Sequence, residues 1–216
     1  MGKASEVKSL FRVGLIAAFA TLAFVGTLVI RVPIPVTGGY FNLGDTFVMA
    51  AGLLYGPLVG ALVGMIGPAL ADAVGFPQFI LATAVVKCCE GGLVGLIGKA
   101  GIGAAQGLRP LLAVTVGVLV LVCGYFVFEA FFYPALATSI PFFAVTDLKA
   151  AIAEILPNLL LGSISAVIAL GILRVFGRPQ RGHRPQCWQS SRCLAAPSGA
   201  GRRTEGAGES RPPGWR

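Results

Sequence analysis

Seven Asp and Glu residues and nine Lys and Arg residues fall within the first 176 positions, a stretch otherwise built from apolar residues, glycine and proline. The charges embedded in its apolar runs are the candidates for chemistry. Lys87 and Glu90 stand three apart, whereas Tyr125 and Glu129, and likewise Glu154 and Asn158, stand four apart. Each pair therefore shares one face of a helix. Tyr40, Asn42 and Asp45 gather just ahead of one apolar run, and Asp72 closes it. An ionisable group inside an apolar span costs about 2–3 kcal/mol or more and faces an interior cavity or a partner. Carboxyl, amide, ammonium and aromatic groups in this pattern suit the orientation of a polar solute.

The same residues are poor in catalytic chemistry. His183 is the lone histidine and lies near the C-terminus, which excludes a His-based catalytic or metal site from residues 1–176. No GxxxxGK[ST] phosphate loop, HExxH or GxSxG motif occurs. Cys88, Cys89 and Cys123 lack zinc-ligand spacing and read as small hydrophobes, while Cys187 and Cys193 lie in the C-terminal tail. We expect no enzyme activity, no cofactor and no metal.

Several groups carry two readings. Asp45 follows Gly44 at a helix start, where it either caps the helix or meets a ligand. Lys87 and Glu90 either neutralise each other or contact substrate. Asp72, close to a span end, reads as solvated. Glu129 and Asn158 have no evident partner nearby in sequence, which favours a site role. Pro157, between Glu154 and Asn158, frees backbone carbonyls and predicts a broken helix at that depth. Tyr40, Tyr125 and Phe128 offer stacking surfaces, and the last two are also ordinary packing residues.

These side chains must be positioned by membrane helices. The chain is 56% hydrophobic and 12% charged, about half the charge of a soluble domain. A helix crosses the hydrocarbon core with about 20 apolar residues. Residues 11–30 form the first such run, too long for a signal peptide and with no cleavage motif. A Pro/Gly-rich connector, residues 31–44, follows. Residues 45–75 are too many for one crossing, and Tyr55-Gly56-Pro57 divides them into a short second span and a third. The fourth span covers 77–98, the fifth 110–133 and the sixth 148–176, with connectors at 99–109 and 134–147. The expectation is an all-α integral membrane protein, a six-transmembrane-helix bundle over residues 1–176.

The net charge of +8 is concentrated elsewhere. Residues 1–176 carry +2, and residues 177–216 carry eight basic and two acidic side chains. That tail is rich in Arg, Gly, Pro and Ser, has no apolar periodicity, and is expected to be disordered and without an activity of its own. Nucleic acid is not an expected partner. Near the span ends, Lys3, Lys8, Arg12, Lys99, Arg109, Arg174 and Arg178 fall on one side, and Arg31 and Lys149 on the other. The positive-inside rule then places both termini in the cytoplasm, and the expected location is the plasma membrane. On this topology the embedded polar groups crowd toward the outer side, with Lys87 and Glu90 deepest. The inner half holds almost nothing comparable, which describes a pocket open outward above apolar packing. No polar ladder crosses the bundle, as a self-sufficient proton-coupled pump would need.

Gly56, Gly60 and Gly64 recur every fourth residue, as do Gly91 and Gly95, so neighbouring backbones can approach closely. On the first span Gly14/Ala18 and Ala17/Thr21 form similar small faces, which either pack internally or dock a separate membrane subunit.

The blocks GYFNLGD (39–45), AGLLYGP (51–57), GALVG (60–64) and ALAD (69–72) resemble the S components of energy-coupling factor (ECF) transporters. Phe76-Pro77 and KCCEGGLVG (87–95) resemble the fourth helix of the same family. The resemblance covers residues 8–176 and is most specific over 39–98. It is nearest the branch that includes riboflavin, pyridoxine and hydroxymethylpyrimidine carriers. It implies a six-helix subunit that binds a vitamin or precursor near the outer face, held by the last three helices and covered by the connectors at 31–44 and 134–147. The implied partners are a transmembrane T component and two ATP-hydrolysing subunits, and the implied release step is a toppling of the subunit within the bilayer. The family docks its T component through an AxxxA pattern on the first helix. Here Gly14, Ala17, Ala18 and Thr21 stand in its place. The implied substrate-binding set is Tyr40, Asn42, Asp45, Lys87, Glu90, Tyr125, Glu129, Glu154 and Asn158. A solitary facilitator or secondary transporter for a small heterocyclic metabolite is the alternative, and a non-transporting membrane scaffold is a further one.

Overall fold

The computed structural model describes residues 2–29, 32–33, 40–99, 108–143 and 147–177. The expectation of a disordered tail falls almost wholly outside them. The described elements are α1 (Gly2–Val29), the strands β1 (Val32–Pro33) and β2 (Tyr40–Phe41), α2 (Gly44–Tyr55), α3 (Pro57–Gly75), α4 (Ile80–Lys99), α5 (Arg109–Val127), α6 (Tyr133–Ala137) and α7 (Leu148–Phe176). A 3₁₀ turn, Pro77–Phe79, leads into α4, and a π turn, Phe128–Phe132, joins α5 to α6.

Five stretches are long and apolar enough to cross a bilayer: Glu6–Val29, Pro57–Gly75, Pro77–Gly98, Arg109–Ala137 and Leu148–Phe176. Their outward surfaces carry large aliphatic and aromatic side chains such as Leu58, Leu96, Phe131 and Val167. A water-soluble bundle would bury such a surface. The two cysteines Cys89 and Cys123 are exposed on this apolar exterior and are not part of the packed interior.

The second predicted span differs from the other five. α2 has 12 residues, about 18 Å of helix against about 30 Å of hydrocarbon. It is surrounded by α1, α3, α4 and α7, and nine of its residues are buried. A helix wrapped by protein has no lipid thickness to match. Among the described residues, five helical stretches thus have spanning length and α2 does not.

Close packing follows the glycines. α3 and α4 form the most extensive pair. A Cβ at Gly60 would collide with the Gly91 carbonyl, and one at Gly91 would collide with the Gly60 carbonyl. One at Gly64 would strike the Lys87 carbonyl. The repeats at 60/64 and 91/95 therefore serve internal packing. Gly56, which separates α2 from α3, has φ 95°, a left-handed conformation that glycine adopts without strain.

The remaining differences are local. β1 and β2 pair antiparallel within the connector expected to be a plain loop, with Val32 opposite Phe41 and Pro33 opposite Tyr40. The fifth span ends in the π turn because Pro134 has no N–H to donate to the preceding turn and its ring needs space there. α7 runs unbroken through Pro157, so the predicted break is absent. Toward the ends of α2, α4 and α7 and the start of α5, Met49, Leu53, Val94, Val114 and Ala169 pack into one apolar cluster. This closes the bundle at the end opposite the polar groups.

Candidate functional site

Successive antiparallel helices bring the start of α2, the end of α3, the starts of α4 and α7 and the end of the α5 segment to one end of the bundle. A small, partly open cavity lies there. Its walls are Asn42 ahead of α2, Asp72 on α3, Phe79 and Thr83 at the start of the fourth segment, Tyr125 and Glu129 from the fifth, and Glu154, Asn158 and Leu161 on α7.

The π turn sets the position of Glu129. Phe131 and Phe132 project outward at 61% and 51% exposure, and Glu129 is turned inward at 1%. There its carboxyl group lies beside that of Glu154. Glu154 is 8% exposed, and its Oε1 has no hydrogen-bond partner among the described residues. The Tyr125 hydroxyl lies 2.9 Å from Thr83 Oγ1. An aromatic wall backs this end: Phe79 meets Tyr133 edge-on at 5.8 Å, and Tyr133 stacks on Phe143 at 5.7 Å. Phe128 belongs to that wall and does not line the cavity.

Asp45, Lys87 and Glu90 form a second layer. Lys87 Nζ lies 2.6 Å from Asp45 Oδ1 and 3.1 Å from Glu90 Oε2. All three side chains are within 2% of full burial. Lys87 thus pairs with Glu90 and also ties α4 to α2. The group adjoins the cavity through Tyr125, whose ring centroid is 5.5 Å from Lys87 Nζ. Asp45 does not cap α2. Asn42 does related work: its Oδ1 accepts from the Gly44 N–H at 2.8 Å and lies 3.4 Å from Thr27 Oγ1.

Of the nine residues expected at the substrate, Asn42, Tyr125, Glu129, Glu154 and Asn158 come together around the cavity. Asp45, Lys87 and Glu90 lie in the ion cluster, and Tyr40 is placed by its backbone in β2, which lies against α7. Tyr40's side chain is outside the described residues. Asp72, read from sequence as solvated, is 1% exposed and faces the cavity. The signal was its register: 60, 64, 68 and 72 share one face, and the glycines on that face point inward. Phe79 and Thr83 were missed as well, although they continue the face of Lys87 at four-residue intervals. On α1, Gly14, Ala17, Ala18 and Thr21 are exposed, and a Cβ at Gly14 would meet nothing within 4 Å.

Long apolar helices around a short buried one, with a polar cavity at one end, define a multi-pass membrane protein built to bind a small solute. The family model for the ECF-type riboflavin transporter, S component, matches residues 5–177, and the chain belongs to that family. This is a family of transport subunits and not of enzymes. The chain is also 44% identical over 101 residues to an uncharacterized protein in a gap 3′ region of Pyrococcus woesei. That match spans 47% of this chain and 66%, just under two thirds, of the relative.

Proposed function

We propose that this S component captures a water-soluble vitamin or vitamin precursor, of the riboflavin, pyridoxine or hydroxymethylpyrimidine class, at the outer face of the plasma membrane. A T component and two ATPase subunits then drive its import. The carrying observation is the one-ended cavity. Carboxyl, amide and hydroxyl groups from five segments line it at one end, and the cluster of Met49, Leu53, Val94 and Val114 closes the other. A site open on one side with a packed apolar base binds a solute and does not conduct it.

In this reading the chain passes the membrane six times, α2 included, with both termini cytoplasmic. Asn42, Tyr125, Glu129, Glu154 and Asn158 contact the ligand. Tyr40 covers it from the connector at 31–44, and Asp45, Lys87 and Glu90 support the floor. The exposed small face of α1 at Gly14, Ala17, Ala18 and Thr21 receives the T component, since close helix contact in lipid needs small side chains.

Reconstitution tests this. The purified chain in proteoliposomes is expected to bind its ligand stoichiometrically yet accumulate it only when the T component, both ATPases and ATP are present. Uptake by the chain alone, indifferent to ATP, would overturn the reading in favour of a solitary facilitator.

A further inference from the structure

We infer that the captured molecule presents a hydrogen-bond acceptor, a carbonyl oxygen or an unprotonated ring nitrogen, to the side-chain N–H groups of Asn42, and that Thr27 on α1 positions that amide. This rests on the capture reading above and names what the ligand must show to one wall of the same cavity. Asn42 lines the cavity and is 8% exposed. Its Oδ1 accepts from the Gly44 N–H at 2.8 Å, and Thr27 Oγ1 donates to the same atom across 3.4 Å. A backbone N–H only donates, so its partner must be the amide oxygen and not the amide nitrogen. The hydrogen bonds thereby fix which way the amide is turned. With the oxygen held against Gly44 and Thr27, the end left to the ligand is the pair of N–H donors.

Thr27 is placed to enforce this orientation. It is fully buried near the end of α1, and its hydroxyl adds a second donor to the oxygen that Gly44 already holds. A Cβ at Gly44 would strike Thr27 Oγ1 and crowd the Ala23 carbonyl, so α1 and the start of α2 touch at this point. Turning the amide over would set its nitrogen against the Gly44 N–H, donor against donor, in a buried place where an unmade bond is costly. The hydroxyl pair across the cavity has no such polarity. Thr83 Oγ1 and the Tyr125 hydroxyl lie 2.9 Å apart and either can donate, so that pair adapts to its guest. Asn42 does not adapt, and a wall that cannot adapt discriminates. A molecule turning an ammonium or another N–H toward it would leave buried donors unpaired, the mismatch that rejects an analogue most strongly.

The test uses the full chain in lipid nanodiscs and titration calorimetry, with riboflavin as the first probe and pyridoxine as the second. If neither binds, a molecule released on denaturation and identified by mass spectrometry takes their place. Asn42→Asp keeps an oxygen for Gly44 and Thr27 but has no N–H to offer, and should weaken binding about 10–100-fold. Thr27→Val keeps the shape and removes the hydroxyl, and should weaken binding about 3–10-fold, with Thr27→Ser restoring it. The deciding measurement is the double variant. Thr27→Val added to Asn42→Asp should weaken binding no further, because both residues act through one amide. A Thr27 that merely supports the fold would lower affinity by the same factor in both backgrounds. Wild-type affinity in Asn42→Asp, full additivity in the double variant, failure of Thr27→Ser to restore binding, or a released molecule without an acceptor would overturn the inference while leaving the capture reading standing. If neither probe binds and nothing is released, the capture reading falls, and this inference with it.

Discussion

Lys87 is the residue on which the buried polar layer depends. It lies between two carboxyl groups, and among the described residues its removal leaves both without an ion-pair partner. Breaking a buried ion pair by deleting one partner costs about 3–5 kcal/mol. Lys87→Met is therefore expected to destabilise the protein by that amount in thermal unfolding of the detergent-solubilised chain, whereas Asp45→Asn should cost less because Lys87 retains Glu90. At the cavity, Glu129→Ala and Asn158→Ala are each expected to weaken ligand affinity about 10–100-fold, measured by titration calorimetry. Unchanged affinity in both would move the ligand elsewhere. Much of this was legible residue by residue: five of the nine expected substrate contacts line one cavity. The misassignments have a physical cause. Whether Asp45 caps a helix or meets Lys87 depends on the packing of α2 against α4, which no local pattern encodes. Asp72 was misread from its distance to a span end, when its register with the glycine face was the better guide.

At the level of elements, two surfaces of small residues have opposite surroundings. On α3 and α4 the glycines are in backbone contact, so Gly91→Val is expected to destabilise by about 1–3 kcal/mol or more through overpacking. On α1, Gly14 faces open space. Gly14→Leu should leave unfolding and ligand affinity unchanged and reduce ATP-driven uptake by the assembled transporter. A loss of ligand affinity in Gly14→Leu would show that the α1 face acts on the cavity and not on a partner. Helix positions were the most legible part of the chain, since apolar length and Pro/Gly punctuation are local signals. The predicted sixth span and α7 coincide at Leu148–Phe176. The π turn was not legible, because its widening depends on how Pro134 and the aromatic wall fit against the neighbouring segments.

Across the whole molecule, the basic side chains predict an orientation. Cys187 and Cys193 in the tail are expected to react with a membrane-impermeant maleimide in inside-out vesicles and to be protected in intact cells or right-side-out vesicles. Labelling from the outside would invert the bundle and place the cavity on the cytoplasmic face. The separation of polar and apolar clusters to opposite ends also fits the proposed dependence on partner subunits. A binding site with a sealed base holds its ligand, and free-energy input must come from elsewhere to deliver it.

The brevity of α2 has a geometric outcome. A helix spanning the full hydrocarbon depth at that position would run about 12 Å further, roughly two extra turns. Its far end abuts Gly56 and the apolar cluster, so the shortfall opens where Asn42 and Asp45 begin the helix. The alcove for the guest is in effect the space of those missing turns, ringed by taller neighbours. Lengthening α2 at its first turn would enter that hollow and displace Asn42, which lines it.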